Sequence, residues 1–137
     1  MKLAVHSIPL EALDSVWGSV EGYLASGLEK AKAEYTVEDI RVFLASGQWK
    51  LFAAFCEENF VRGAAAVSFI HYPKELVAFV ASIGGRFIID DNTVNQFRDL
   101  LKGFGATRLQ GAVSKPLERM YKKFGFEHKA ILVETML

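Results

Sequence analysis

The 137-residue sequence predicts one α/β (α+β) domain over residues 1–137, with a mixed, mostly antiparallel central sheet and helices on both faces. Three observations predict it. Three apolar runs between Trp49 and Ile83 are separated by turns so short that their strands must pair as antiparallel hairpins. From Val94 onward helical and extended patterns alternate, which adds a strand by crossover and mixes the sheet. Apolar residues make up 51% of the chain, enough for one core in a chain of about one domain's length. No Ser- or Gly-rich tract and no block of like charge marks a linker.

The elements follow in order. Residues 2–8 open as a strand, and Pro9 closes it. Leu10, Leu13, Val16, Trp17, Val20, Tyr23, Leu24 and Leu28 recur at helical spacing. Gly18, Gly22 and Gly27 weaken that helix by about 1 kcal/mol each against Ala. Thr36 caps a second helix, with Asp39 at its third position as an acid version of the capping box. Val37, Ile40, Phe43 and Leu44 form its stripe, and Gly47 stops it. Residues 49–55 are apolar on both alternating faces, which marks a central strand covered on both sides. Strands over 60–70 and 76–83 follow, across turns at 57–59 and 71–74. Val94, Phe97, Leu100, Leu101 and Phe104 mark a helix that ends near Gly103 or Gly105. Residues 108–113 are a short strand. Ser114 and Pro116 start the last helix, with Leu117, Met120, Tyr121 and Phe124 as its stripe and Gly125 as its stop. Residues 130–137 read as a closing strand. The order is β-α-α-β-β-β-α-β-α-β.

Several chemistries are excluded. Lys plus Arg number 16 and Asp plus Glu 16, so there is no basic excess for general nucleic-acid binding. The single Cys56 excludes an intramolecular disulfide and a cysteine-rich zinc site. His6, His71 and His128 lack metal-ligand spacing. No phosphate-binding Walker loop, dinucleotide fingerprint or Gly-x-Ser-x-Gly elbow occurs. The apolar runs are far shorter than the roughly 20 residues of a membrane helix, and no signal-peptide core is present. A soluble cytoplasmic protein is the expectation.

The C-terminal end carries a more specific signal. It reads Leu109-Gln110-Gly111-Ala112-Val113, Ser114, Leu117, then Tyr121-Lys122-Lys123-Phe124-Gly125-Phe126. This stretch, within this element order, resembles the GNAT family of N-acetyltransferases. Many members carry a strand, an Asn, and a helix ending in a Tyr-x-Lys-x-Gly-Phe signature. Tyr121, Lys123, Gly125 and Phe126 match it, and Ser114 stands in place of the Asn. The chain also resembles small acetyltransferase-like proteins of tailed bacteriophages.

The resemblance implies acetyl-CoA as donor and an amine as acceptor. It makes Tyr121 the general acid for the departing thiolate. A phenol of pKa about 10 suits a thiolate of pKa about 8.5. The residues alone also read Tyr121 as one apolar member of its helix stripe, with its hydroxyl at the surface. Gly84, Gly85, Arg86 and Ser114 become the cofactor-binding candidates, with glycine backbone and a guanidinium near the phosphates. The family's Gln/Arg-x-x-Gly-x-Gly/Ala spacing is not matched, and Gly84-Gly85 also reads as a simple turn. Asp90 and Asp91 stand at the helix start, where they cap it and repel a pyrophosphate. No carboxylate lies in 76–83 to act as base. Ser82, Glu75, His71, Tyr72 and Glu134 remain as alternatives, none singled out. Lys115, Arg119, Lys122 and Lys123 form a basic face that suits a CoA 3′-phosphate, an acidic partner or plain solvent. No metal is expected. Two functions follow: an acetyl-CoA-dependent N-acetyltransferase, or a catalytically degenerate relative acting through a protein partner, such as a phage virion or accessory component. A homodimer through the closing strand's edge is compatible with both.

Overall fold

A computed structural model describes residues 2–31 and 33–137. Its strands are β1 (Ala4–Ile8), β2 (Trp49–Phe55), β3 (Val61–Tyr72), β4 (Glu75–Gly85) and β5 (Arg108–Gly111). Its helices are α1 (Leu13–Ala31, entered through a 3-10 turn at Leu10–Ala12), α2 (Val37–Ala45), α3 (Asp91–Gly103) and α4 (Lys115–Lys122). The sheet order is β1-β2-β3-β4-β5. Pairing is antiparallel as far as β4 and parallel between β4 and β5, across α3.

The strand period of two divides the core between the faces of the sheet. Leu51 and Ala53 of β2 pack with Trp17, Val20 and Leu24 of α1 and Ile40 and Leu44 of α2. Phe52 and Ala54 pack on the other face with Phe97 and Leu101 of α3 and with Phe87. Phe97 meets Phe52 edge-on at 5.3 Å and Phe87 edge-on at 5.0 Å, geometries favoured by the ring quadrupole. The doubly apolar pattern of residues 49–55 therefore marks a central strand, as expected.

Local chemistry sets the helix ends. Thr36 and Asp39 form a reciprocal capping box, with Asp39 N–H donating to Thr36 Oγ1 at 3.2 Å and Thr36 N–H to Asp39 Oδ2 at 2.9 Å. Gly47 leaves α2 with φ +80, a left-handed conformation that suits Gly. Helix α1 runs straight through Gly18, Gly22 and Gly27, because burial of its stripe outweighs their propensity cost.

Two differences from the sequence reading matter for function. Strand β4 continues through Gly84 and Gly85, which pair with Ala64 and Gly63; they are sheet, and the alternative reading of them as a simple turn is corrected. The strand expected over residues 130–137 is corrected too. That segment pairs with no strand, and its apolar side chains are exposed. The chain after α4 explains why. Phe126 N–H donates to Tyr121 O at 3.2 Å, and His128 Nδ1 lies 3.0 Å from Glu118 Oε2. The chain thus doubles back along α4 to its first turn. Among the described residues no helix is long and apolar enough to cross a membrane.

Candidate active site

Strands β4 and β5 pair only from Val77↔Arg108 to Val80↔Gly111. At that point β4 gains a residue against β3: the register steps from Val67↔Val80 to Ala66↔Ser82 and leaves Ala81 over. Such a bulge bends and twists its strand. Beyond it β4 runs on with β3 to Gly85, while the chain after Gly111 leaves for α4. The two strands part, and a cleft of about 1330 Å³ opens between them, walled also by α3, α4 and the chain after α4. Past Val80, β4 has no strand neighbour on its β5 side among the described residues. Its free backbone groups there suit an extended, amide-bearing arm, which they can bond as they would a strand.

Tyr121 stands on the wall of this cleft. Its ring packs edge-on against Phe126 at 5.3 Å. Burial pushes its phenol above the usual 10, because the phenolate would lose its hydration. The neutral form is the one that can donate a proton.

The start of α3, where a diphosphate would dock, is closed by its own side chains. Asp90 Oδ1 accepts from Thr93 N–H at 2.8 Å. The buried Thr93 hydroxyl accepts from Ile89 N–H at 3.0 Å and Asp90 N–H at 3.2 Å. These are donors an anion would otherwise use, and Asp90 and Asp91 add negative charge beside them. Gly84 and Gly85 do line the cleft, but their missing side chains serve packing. A Cβ on Gly84 would collide with the backbone carbonyl of Tyr23 in α1, and one on Gly85 with the Tyr23 ring. Arg86 is exposed, its N–H bonded to Arg62 O at 2.8 Å, and it lies off the cleft wall. Ser114 holds the N-cap position of α4 without a side-chain hydrogen bond, also off the wall. The residues fit the thioester arm of an acyl-CoA and do not fit its diphosphate.

The candidate bases are scattered. Ser82 is buried and donates to Leu24 O of α1 at 2.7 Å. Glu75 is held by Arg108 at 2.6 and 3.2 Å, and that hydrogen bond keeps its carboxyl below the usual range. His71 and Tyr72 are exposed at the β3–β4 hairpin, and Glu134 is exposed in the C-terminal segment. A pair that sequence reading missed does line the cleft with Tyr121: Glu118 and His128. The hydrogen bond to His128, then nearby Lys122, hold the Glu118 carboxyl below its ordinary value. No spacing rule signals this pair, since the turn at Gly125 brings it together. No group of three or more His, Cys, Asp or Glu among the described residues is placed to hold a metal.

No family model matches the sequence, and no curated protein matches it. Solved structures match its fold over nearly the whole chain. An aminoglycoside acetyltransferase from an uncultured soil metagenomic sample, in complex with sisomicin, superposes with a TM-score of 0.70 at 12% identity, covering 98% of this chain and 96% of that one. A predicted acetyltransferase from Clostridium acetobutylicum, solved with acetyl-CoA, gives 0.66 at 15% identity over 98% and 96%. An aminoglycoside 6′-N-acetyltransferase from Acinetobacter baumannii gives 0.64 at 17% identity over 99% and 98%. With its β4–β5 cleft and this likeness in shape, the chain has the fold of the GNAT acetyltransferases.

Proposed function

We propose that this protein is an acyltransferase that moves an acetyl group from a pantetheine thioester to an amine, with Tyr121 as general acid. The observation that carries the reading is the open β4–β5 cleft with Tyr121 on its wall. A structural neighbour solved with acetyl-CoA, and neighbours described as aminoglycoside acetyltransferases, support the donor and an amine-bearing acceptor. The thioester supplies an activated acyl carbon. As the amine nitrogen bonds to that carbon and the carbon–sulfur bond breaks, the Tyr121 hydroxyl delivers its proton to the departing sulfur. Nδ1 of His128 is held by Glu118, which leaves Nε2 to take the proton that the amine loses. His128→Gln is expected to lower kcat by roughly 10²-fold with little change in KM, read in steady-state assays.

Thermal shift titration tests the donor. Acetyl-CoA and S-acetyl-pantetheine are both expected to stabilise the chain saturably, by about 2.7 kcal/mol at 100 times the dissociation constant. Acetyl-CoA is expected to bind no tighter than the shorter thioester, because Asp90 and Asp91 oppose its diphosphate. The variant Asp90→Ser/Asp91→Asn keeps a capping oxygen and removes both charges. It is expected to raise acetyl-CoA affinity by about tenfold and leave S-acetyl-pantetheine unchanged. No shift with either ligand at millimolar concentration would reject the reading. The carboxylates at α3 favour a second reading in that case: a fold kept for protein contacts after loss of the cofactor, as in a phage accessory protein.

A further inference from the structure

The chain as a whole balances its charges, with 16 basic and 16 acidic residues, but its cleft does not. Lys30, Lys102, Lys115, Lys122 and Lys129 all line it. Among the described residues none of these lysines makes an ion pair. The carboxylates that line the cleft are Glu118 and Glu127, and Glu118 is already held by His128 at 3.0 Å. Unpaired charges of one sign around a cleft focus its field and concentrate ligands of the opposite sign.

Two of these lysines stand where an acceptor would enter. Strands β4 and β5 are parallel, so α3 runs from the C-terminal end of one to the N-terminal end of the other. The start of α3, with Asp90 and Asp91, lies at one end of the cleft, and its last turn, with Lys102, at the other. Thr107 N–H donates to Leu76 O at 2.9 Å, which sets that far end beside the beginning of β4. Helix α1 leads the same way: Tyr23 lies against Gly84 and Gly85, Gly27 against Ser82, and Lys30 follows in the last turn. The helices α1 and α3 cover opposite faces of the sheet, so Lys30 and Lys102 flank the opening from both sides. A thioester arm whose phosphate end faces the start of α3 leaves this far end to the amine. A cleft of about 1330 Å³ that also takes the arm has room for a small molecule. We infer that the acceptor is a small amine that carries a phosphate or a carboxylate, and that Lys30 and Lys102 select it by pairing with that anion. The inference rests on the acyltransferase reading and gives its acceptor a charge. It also separates this chain from its aminoglycoside-modifying neighbours. A polycation such as sisomicin would meet unpaired lysines where it needs carboxylates.

Acetyl transfer from S-acetyl-pantetheine to matched amines tests this on the full chain. That donor is uncharged, so any charge dependence belongs to the acceptor. The pairs are O-phosphoethanolamine with ethanolamine, and β-alanine with β-alaninamide, each differing by its anion; sisomicin is the polycation. The expected result is a kcat/KM about tenfold or more higher for the anionic member of at least one pair, and higher than for sisomicin. Which pair responds tells a phosphate from a carboxylate. The preference is expected to shrink as salt rises. Lys30→Gln/Lys102→Gln is expected to bring the ratio within each pair close to one. Both lysines are exposed, so the variant folds. Lysines in last turns also complement the helix dipole, but that role affects the melting temperature and not the ratio. Equal rates within both pairs, a preference for sisomicin, or a ratio that the double variant leaves intact overturns the inference. So does transfer to none of the five amines. In that case a saturable thermal shift with S-acetyl-pantetheine confines the failure to the acceptor, and no shift removes the acyltransferase reading with it.

Discussion

Tyr121→Phe is expected to lower kcat by roughly 10²–10⁴-fold while the fold and its melting temperature stay nearly unchanged. The substitution removes one oxygen from a ring that packs against Phe126 at 5.3 Å, and Phe keeps that contact. Away from buried networks such a change alters stability by about 0.5 kcal/mol or less. The loss therefore falls on the chemical step, with kcat reduced and the thioester's binding retained. The pH profile adds a second readout. Burial raises the Tyr121 phenol above 10.0, so its protonated form persists through the neutral and mildly alkaline range. The wild-type rate should show no alkaline fall assignable to this group below about pH 10. An unchanged kcat in the Phe variant would make Tyr121 an ordinary member of the α4 stripe and remove the acid from the mechanism.

The parts of this molecule that were legible in its sequence are those decided locally. Thr36 and Asp39 announce a capping box by type and spacing, and they form one. Asp90 announces a cap, although its reciprocal partner is the Thr93 hydroxyl rather than an acid. Residues 49–55 announce a strand covered on both faces because apolar side chains fall on both alternating faces, and both core clusters use it. What was not legible depends on distant partners. The glycines at 84 and 85 suggest a turn or a phosphate seat until Tyr23 of α1 is seen against them. Residues 130–137 have a strand's composition, but composition names no partner, and pairing is what makes a strand. The Glu118–His128 contact has no sequence signature, since it exists only because the chain reverses at Gly125, at φ +88. The cleft itself comes from a register step at Ala81, and no pattern in the sequence marks a bulge there.

Gly84→Ala is expected to destabilise the protein by ~3 kcal/mol or more, a fall in melting temperature of roughly 10 °C. The added methyl would lie on the backbone carbonyl of Tyr23, and backbone cannot rotate out of the way as a side chain can. Relief requires α1 to lift from β4. That movement would stretch the 2.7 Å hydrogen bond from Ser82 Oγ to Leu24 O and unseat Gly27, which fits against Ser82 and Ile83 in the same contact. Leu24 and Val20, fully buried on this face of the sheet, would lose their packing with it. Gly22→Ala, in the same helix, provides the opposite sign. Nothing lies within 4 Å of a Cβ built there. Its change should stabilise by about 0.5–1 kcal/mol through helix propensity and a less free unfolded chain. Thermal melts of the pair separate the two roles of glycine in this chain. If Gly84→Ala melts with the wild type, α1 does not press on β4 as described, and Gly84 is left free to serve the cleft.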